Sequence, residues 1–143
     1  MKATLTPGIT HTMRYKVPDS RTVPQLLPES KDFAAMPQVL ATGYLVGIIE
    51  WACIEALHGH LDDDELTLGT HVDVSHAALT VPGSTVTIDV QLVAVEGRAL
   101  RFAVEARDEH AVISAGQHQR GVVVRDRFET RIAGQAAKSD LPG

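Results

Sequence analysis

The sequence has one cysteine and no excess of basic residues. Because Cys53 is the only cysteine, the chain cannot form an internal disulfide. Its position in an apolar segment indicates a small buried hydrophobic residue rather than a reactive thiol. The 13 Lys and Arg residues are scattered and are outnumbered by 18 Asp and Glu residues, for a formal net charge of -5. A protein with this charge pattern is not expected to bind nucleic acid.

Long apolar runs are also absent. No segment reaches the ~20 apolar residues that a bilayer-spanning helix requires, and the N-terminal region lacks the apolar stretch of a signal peptide. We therefore expect a cytoplasmic protein that does not bind membranes. The length of 143 residues predicts a single domain over residues 1–143, with a C-terminal tail that we expect to be disordered from about residue 133.

Several motifs of catalysis and cofactor binding are missing as well. The sequence contains no Gly-x-Ser-x-Gly nucleophile motif, no phosphate-binding loop and no dinucleotide-binding fingerprint. We therefore expect no cofactor. The loop HGHLDDDE places His58 and His60 beside four acidic residues, but without a recognised ligand spacing, so a solvated loop is favoured over a metal site.

One segment, residues 36–57, is apolar on nearly every side and predicts a central helix. It reads MPQVLATGYLVGIIEWACIEAL, with Pro37 suited to the first turn and Gly59 placed to end the helix just beyond it. A helix of this kind is buried by the rest of its domain. Glu50 lies within it, and a buried carboxylate is costly unless it is paired or functional. From the residues alone, catalysis and a partly exposed position at the helix edge are equally open for Glu50.

Alternating β-branched residues predict five strands around this helix. They are expected at residues 9–17, 66–80, 84–95, 99–107 and 111–124. Turn signals such as Pro82-Gly83 and Glu96-Gly97 separate them. One long helix with mostly consecutive strands predicts an α+β fold. A curved antiparallel sheet wrapped around the helix, the hot-dog architecture, is one of several arrangements that fit.

A proline-rich segment, residues 18–32, is predicted to be an irregular covering loop, because it holds three of the seven prolines. Its apolar residues are placed to pack over the helix as a lid: Val23, Leu26 and Leu27. Phe33 and Met36 follow the loop. They either line the mouth of a pocket or make plain core contacts.

Four stretches of the sequence stand out: TGYLVGIIEWA, LGTHVDVSHAA, PGSTVTIDVQLVAVEGR and GQHQRGVVV. Together they resemble the hot-dog-fold thioesterases related to fluoroacetyl-CoA thioesterase. The resemblance extends from about residue 28 to residue 124, and its specific part is the local spacing of Thr, Glu, His, Gly and Arg. It implies the hot-dog fold, an antiparallel β-sheet around one long central helix, and acyl-CoA thioesterase activity.

The resemblance also implies the residues of an active site. Thr42, Glu50 and His76 correspond to the family's catalytic group. The thioester carbonyl is expected near the backbone of Gly69, and Arg120 is associated with substrate binding. Relatives of this kind place aromatic residues beside the pocket, where this chain has Phe33 and Met36.

Each of these positions also has an ordinary structural explanation. Threonine in a helix often bonds a carbonyl one turn back, and a lone histidine in a strand is more often a structural group. Gly69 also suits a β-bulge, and Arg120 also suits a surface ion pair. The chemistry nevertheless fits catalysis, because the pKa range of histidine suits proton transfer and a glycine lets its N–H approach an oxyanion.

Thr42 and Glu50 are eight residues apart, which constrains the site. In one regular helix this spacing gives ~12 Å of axial rise and ~80° of rotation, so the two side chains cannot hydrogen-bond to each other. Either Thr42 precedes the helix, or the residues meet through the substrate or across two subunits. Because hot-dog proteins typically dimerise with active sites at the subunit interface, we expect a homodimer with shared sites.

The resemblance implies an enzyme that hydrolyses a short acyl-CoA, such as fluoroacetyl-CoA, to the free acid and CoA. Either Thr42 or Glu50 can attack the carbonyl. Two other functions remain open: a hot-dog hydratase or dehydratase that acts on an enoyl thioester, and a non-catalytic acyl-CoA binding protein. The acyl preference is not set by the sequence, because one methylene or fluorine changes pocket energetics by only ~1–3 kcal/mol.

Overall fold

The computed structural model describes residues 1–139, which contain five strands and four α-helices. In chain order the elements are β1 (Thr10–Lys16), α1 (Val23–Leu26), α2 (Lys31–Ala34), α3 (Thr42–Ala56), β2 (Glu65–Val74), β3 (Thr85–Glu96), β4 (Ala99–Arg107), β5 (Val112–Val124) and α4 (Arg125–Ser139). A short 3-10 turn, Asp19–Arg21, precedes α1. Strands lie in all five predicted places, and β4 has the predicted bounds.

The five strands form one antiparallel sheet in the order β1-β3-β4-β5-β2. β1 and β2 are therefore its edges. Helix α3 packs against β1, β2, β3 and β4, so the sheet curves around it. The predicted α+β class, with an antiparallel sheet around one central helix, is confirmed.

Side chains from α3 and from the inner faces of the strands form one apolar core. The buried residues of α3 are Leu45, Ile48, Ile49, Ala52, Cys53 and Ala56. The strands supply alternate residues, as the period of two predicts: Val86, Ile88, Val90 and Leu92 from β3, and Leu100, Phe102, Val104 and Ala106 from β4. Burying each large aliphatic or aromatic side chain contributes roughly 1.5–3 kcal/mol, so this core holds α3 firmly within the sheet.

Helix α3 begins at Thr42, so the predicted start near Pro37 is wrong. The preceding segment is held by other parts of the chain instead of by helical hydrogen bonds. Leu40 donates its N–H to the carbonyl of Thr80 at 2.9 Å, a long-range bond that a helix would not allow. Thr42 is therefore the first residue of the helix, which bears on its predicted catalytic role.

The covering segment contains the short helices α1 and α2 rather than an irregular loop alone. Leu26 of α1 lies over Gly43, where an added Cβ would be 3.0 Å from Leu26 Cδ2. Leu27 is 42% exposed. The lid prediction therefore holds for Leu26, which packs on the start of α3, and fails for Leu27.

The chain after β5 is helical through Ser139 and contains no buried residue there. The disorder expected from about residue 133 is not observed up to Ser139, and residues 140–143 lie outside the described part of the chain. Good helix formers such as Ala, Gln, Arg and Glu outnumber the other residues of α4, and Arg125 lies 3.7 Å from Glu129 one turn on. No helix within residues 1–139 is long and apolar enough to cross a membrane.

Candidate active site

Thr42 and His76 are brought together by two different parts of the fold. Thr42 begins α3, and His76 lies just beyond the end of β2 rather than within a strand as predicted. Next to it, the Ser75 hydroxyl donates to the Ala115 carbonyl and accepts from the Ala115 N–H, which ties this segment to β5. Thr42 Oγ1 lies 2.7 Å from His76 Nδ1. This hydrogen bond allows a proton to pass between a hydroxyl and an imidazole.

The second ring nitrogen of His76, Nε2, is buried and has no hydrogen-bond partner among residues 1–139. Burial lowers the pKa of His76 below its ordinary value of 6.5, because the imidazolium would lose its hydration. The ring is therefore neutral at pH 7. A neutral imidazole that faces a hydroxyl is suited to act as a general base.

Glu50 lies in a second group of side chains, contributed by α3, β2 and β5. Its Oε1 is 3.1 Å from Arg120 Nη1, and its side chain is 37% exposed. Arg120 itself is only 3% exposed, so the ion pair is not a surface one. Glu50 is thus both paired with Arg120 and partly exposed to solvent. Its second carboxylate oxygen is therefore available to act as a base or a nucleophile.

Arg120 is held by four hydrogen bonds. Its Nε donates to Thr67 Oγ1 at 2.8 Å and its Nη2 to the Thr67 carbonyl at 2.9 Å. Its Nη1 donates to Glu50 Oε1 and, at 3.0 Å, to His118 Nε2. These bonds occupy most of the five N–H donors of the guanidinium. The arrangement supports a role for Arg120 in orienting Glu50, while direct contact with substrate stays a prediction.

His118 was given no role by the sequence analysis, although it shares one face of β5 with Arg120. Its side chain is fully buried. Nδ1 lies 2.8 Å from the carbonyl oxygen of His71, which can only accept, so Nδ1 carries the proton and Nε2 offers its lone pair to Arg120. Burial lowers the pKa of His118, which keeps the ring neutral beside the guanidinium. His118 and Arg120 are polar residues two positions apart in β5 and therefore share a face of the strand, and this spacing is the sequence signal for His118.

Gly69 of β2 provides the space that the Glu50 carboxylate occupies. A Cβ added at Gly69 would collide with Glu50 Oε1. The sheet register shifts between Gly69 and His71, so a β-bulge directly follows the glycine. The bulge and the close approach occur together, and they bring the backbone of β2 next to a catalytic candidate.

The two groups are separate within one chain. Thr42 and Glu50 belong to the same regular helix, which places them ~12 Å apart along its axis. Thr42 does not precede the helix, so one of the three explanations for the spacing is removed. Among the residues that the structure describes, no hydrogen bond joins Glu50 to Thr42 or His76.

The other candidates differ in exposure and in contacts. Phe33 is half-buried and Met36 is 51% exposed, so Met36 is not a core residue. His60 Nδ1 lies 2.8 Å from Thr4 Oγ1. Within the described residues, no group of three His, Cys, Asp or Glu side chains is arranged to hold a metal ion.

Comparisons with known proteins identify the family of the chain. The family model of fluoroacetyl-CoA-specific thioesterases matches residues 22–126. A fluoroacetyl-CoA thioesterase from Streptantibioticus cattleyicolor is 42% identical over 132 residues, which cover 92% of this chain and 95% of that protein.

Solved structures give the same result. A threonine-to-alanine variant of fluoroacetyl-CoA thioesterase, in complex with fluoroacetate, is 40% identical with a TM-score of 0.89, and the match covers 92% of this chain and 98% of that one. A hot-dog-like protein from Thermanaerovibrio acidaminovorans is 26% identical with a TM-score of 0.76, covering 90% and 91% of the two chains. The predicted hot-dog fold and the family resemblance are both confirmed.

Proposed function

Because the chain belongs to the family of fluoroacetyl-CoA-specific thioesterases, we propose that it hydrolyses a short acyl-CoA, with fluoroacetyl-CoA as the first candidate substrate. Water is consumed, and the free acid and CoA are released. The hydrogen bond between Thr42 and His76 is the observation that carries this proposal, because it supplies a base already in contact with a hydroxyl.

In one route, Thr42 is the nucleophile. His76 Nδ1 takes the hydroxyl proton as Thr42 Oγ1 attacks the thioester carbonyl, and the resulting imidazolium returns the proton to the departing CoA sulfur. Water then hydrolyses the acyl-threonine. The backbone of Gly69 is the proposed neighbour of the carbonyl oxygen.

In the other route, Glu50 acts directly, either by attacking the carbonyl or by activating water through the oxygen that Arg120 does not hold. Mass spectrometry of a trapped acyl-enzyme separates the routes. An acyl group on Thr42 supports the first, an acyl group on Glu50 supports attack by the carboxylate, and no trapped acyl group supports water activation.

Two subunits complete the site in this proposal. Thr42 and Glu50 are too far apart to meet within one α3, and that helix leaves Trp51 49% and Ile54 40% exposed, an apolar face that a second copy would cover. The Thr42–His76 pair of one chain would then act with Glu50 of the other. Mixing inactive Thr42→Ala and Glu50→Ala chains should recover some activity, and no recovery would count against a shared site.

Thiol release from acetyl-, fluoroacetyl-, propionyl- and longer acyl-CoAs tests the activity. We expect Thr42→Ala and Glu50→Gln to lower kcat by about 10²-fold or more, as loss of a catalytic acid, base or nucleophile usually does. Glu55→Gln is the matched control on the same helix, because Glu55 pairs with His11 away from the site. If the wild-type chain releases no thiol from any of these substrates, the proposal fails.

The same assay, with an enoyl-CoA added to the panel, separates the two rival functions. A hydratase or dehydratase would convert an enoyl-CoA without releasing thiol, and a binding protein would retain acyl-CoA without converting it. The hydrogen-bonded Thr42–His76 pair favours hydrolysis over both. The cytoplasmic location expected from the sequence stays a prediction.

A further inference from the structure

Ser114 of β5 carries a buried hydroxyl whose hydrogen bonds are unexplained. The residue is 1% exposed, and its Oγ forms no hydrogen bond within residues 1–139. The only other buried side-chain atom of this kind in that part of the chain is Nε2 of His76, in the candidate active site. A buried polar group without a partner is costly, because it has given up its hydrogen bonds to water. The relative position of the two atoms is therefore informative.

The backbone places His76 directly opposite Ser114. Two hydrogen bonds flank the pair, one residue before and one residue after His76: Ser75 N–H to the Ala115 carbonyl at 3.0 Å, and Ala77 N–H to the Ile113 carbonyl at 2.7 Å. They continue the antiparallel register of β2 and β5 beyond the end of β2. His76 and Ser114 thus form a pair of the type in which two strands lie closest. Side chains of such a pair share one face of the sheet, with Cβ atoms ~4.5–5.5 Å apart.

The shared face is the inner one. Ser114 pairs in the sheet with Ala106 of β4, which is fully buried in the core. His76 reaches Thr42 at the start of α3 through Nδ1, at 2.7 Å. Both side chains therefore lie on the α3 side of the sheet. There Thr42 occupies one ring nitrogen of His76, and Ser114 is the polar residue opposite the ring that still lacks a partner.

We propose that Ser114 is a positioning residue whose Oγ accepts the Nε2 proton of His76, either directly after rotation about its Cα–Cβ bond or through one bound water. This rests on the proposed hydrolase function, in which Nδ1 of His76 takes the proton of Thr42. A neutral imidazole can accept at one nitrogen only when the other nitrogen carries the proton. By holding the proton on Nε2, Ser114 keeps Nδ1 free to act as the base.

The link from Ser114 to the ring strengthens as the reaction proceeds. When Nδ1 takes the Thr42 proton, the ring becomes an imidazolium and Nε2–H becomes a charged donor, whose hydrogen bonds are roughly twice as strong as neutral ones. An interaction that is stronger in the transition state than in the ground state raises kcat. Ser114 does not touch the substrate in this arrangement, so its loss should change kcat and leave KM nearly constant.

Steady-state thiol release by Ser114→Ala and Ser114→Thr tests the kinetic effect. We expect Ser114→Ala to lower kcat about three- to thirtyfold, with KM within about twofold of wild type, since the buried Nε2–H loses its acceptor. Ser114→Thr keeps the hydroxyl and should recover most of the lost kcat. Thr80→Val is the matched control, because it removes another buried hydroxyl, which bonds Asp108 rather than the site, and should keep the wild-type kcat.

Nitrogen-15 NMR of the histidine-labelled chain at pH 8 gives a readout that does not need turnover. In a neutral ring the chemical shifts of the two nitrogens show which one carries the proton, and His76→Gln identifies the His76 signals. We expect the proton on Nε2 in the wild type and a larger share of the Nδ1–H tautomer in Ser114→Ala. An unchanged tautomer ratio or an unchanged kcat in Ser114→Ala would overturn the assignment. If the wild type releases no thiol, the hydrolase function fails, and the tautomer ratio still judges the contact between Ser114 and His76.

Discussion

The position of Glu50 depends on residues that never need to touch a substrate. Arg120 fixes one carboxylate oxygen, and Arg120 is in turn fixed by Thr67 and by the neutral imidazole of His118. Removing one member of a buried charged network leaves an uncompensated polar group, which costs more than the lost bond alone. The position of the Glu50 carboxylate should therefore be sensitive to substitutions of residues that contact Arg120.

His118→Gln tests this dependence. We expect kcat to fall by about tenfold or more with little change in KM, because the freed guanidinium no longer places the carboxylate accurately. Steady-state kinetics on one acyl-CoA measure both constants. A variant that melts at a lower temperature but keeps the wild-type kcat would show that His118 is structural only.

Gly69→Ala tests the space beside the carboxylate. The new methyl group would collide with Glu50 Oε1, so the carboxylate must shift from its position beside Arg120. We expect at least a tenfold loss of kcat/KM in the thiol-release assay. Gly134→Ala, where an added Cβ meets nothing within 4 Å, is the control and should retain activity. Full activity of Gly69→Ala would mean that Glu50 does not work from its observed position.

The pH dependence should report His76. In the proposed mechanism the base is the neutral imidazole, and burial lowers its pKa below 6.5, so the midpoint of the acid limb of kcat/KM should lie below pH 6.5. A pH profile of kcat/KM measures the midpoint. The His118→Gln variant should keep the same acid limb, whereas a midpoint above 6.5 in the wild type would contradict the assignment to a buried histidine.

The sequence indicates candidate site residues, but it does not indicate which of them contact each other. The family resemblance predicts Thr42, Glu50 and His76 as the catalytic group, and helical spacing alone shows that the side chains of Thr42 and Glu50 cannot hydrogen-bond to each other. The pairing of Glu50 with Arg120 joins residues 70 positions apart. It depends on how β2 and β5 pack beside α3, which local periodicity does not specify.

At the scale of elements, strands were located well because alternating burial is a local signal. β4 and the inward residues of β3 and β4 follow directly from the period of two. The predicted start of α3 near Pro37 was wrong, because the backbone hydrogen bond from Leu40 to Thr80 overrides helical propensity before Thr42. Helix α4 was missed for the opposite reason: no buried face distinguishes its sequence from a polar tail.

Removal of α4 tests how much this helix contributes to stability. A chain that ends at Val124 should keep the sheet and its core, since α4 buries no residue of its own. We expect the melting temperature to fall by no more than about 4–8 °C, the shift for ~1 kcal/mol in a small domain. Thermal unfolding followed by circular dichroism measures this. Failure of the shortened chain to fold would show that α4 contributes to the core.

For the whole molecule, the half-buried His76 and the fully buried His118 link stability to pH. Burial lowers the folded-state pKa of both His76 and His118 below 6.5, so the unfolded chain binds protons more readily. The stabilisation is complete above pH 6.5 and declines as the pH falls toward the folded-state pKa values. Denaturant unfolding at a series of pH values between 5 and 7 should show this decrease, and the decrease should be smaller for His118→Gln. An unfolding free energy that rises on acidification would contradict the neutral state of both rings.

The burial of Cys53 has a practical consequence for every experiment on turnover. It is the only thiol of the chain, it is fully enclosed in the core, and burial raises its pKa to about 12. A thiol that is neither ionised nor accessible does not react with a chromogenic disulfide reagent. The folded protein is therefore colourless in such an assay, and each thiol detected belongs to released CoA. The same reagent in denaturant counts one thiol per chain, which makes Cys53 an internal standard for enzyme concentration.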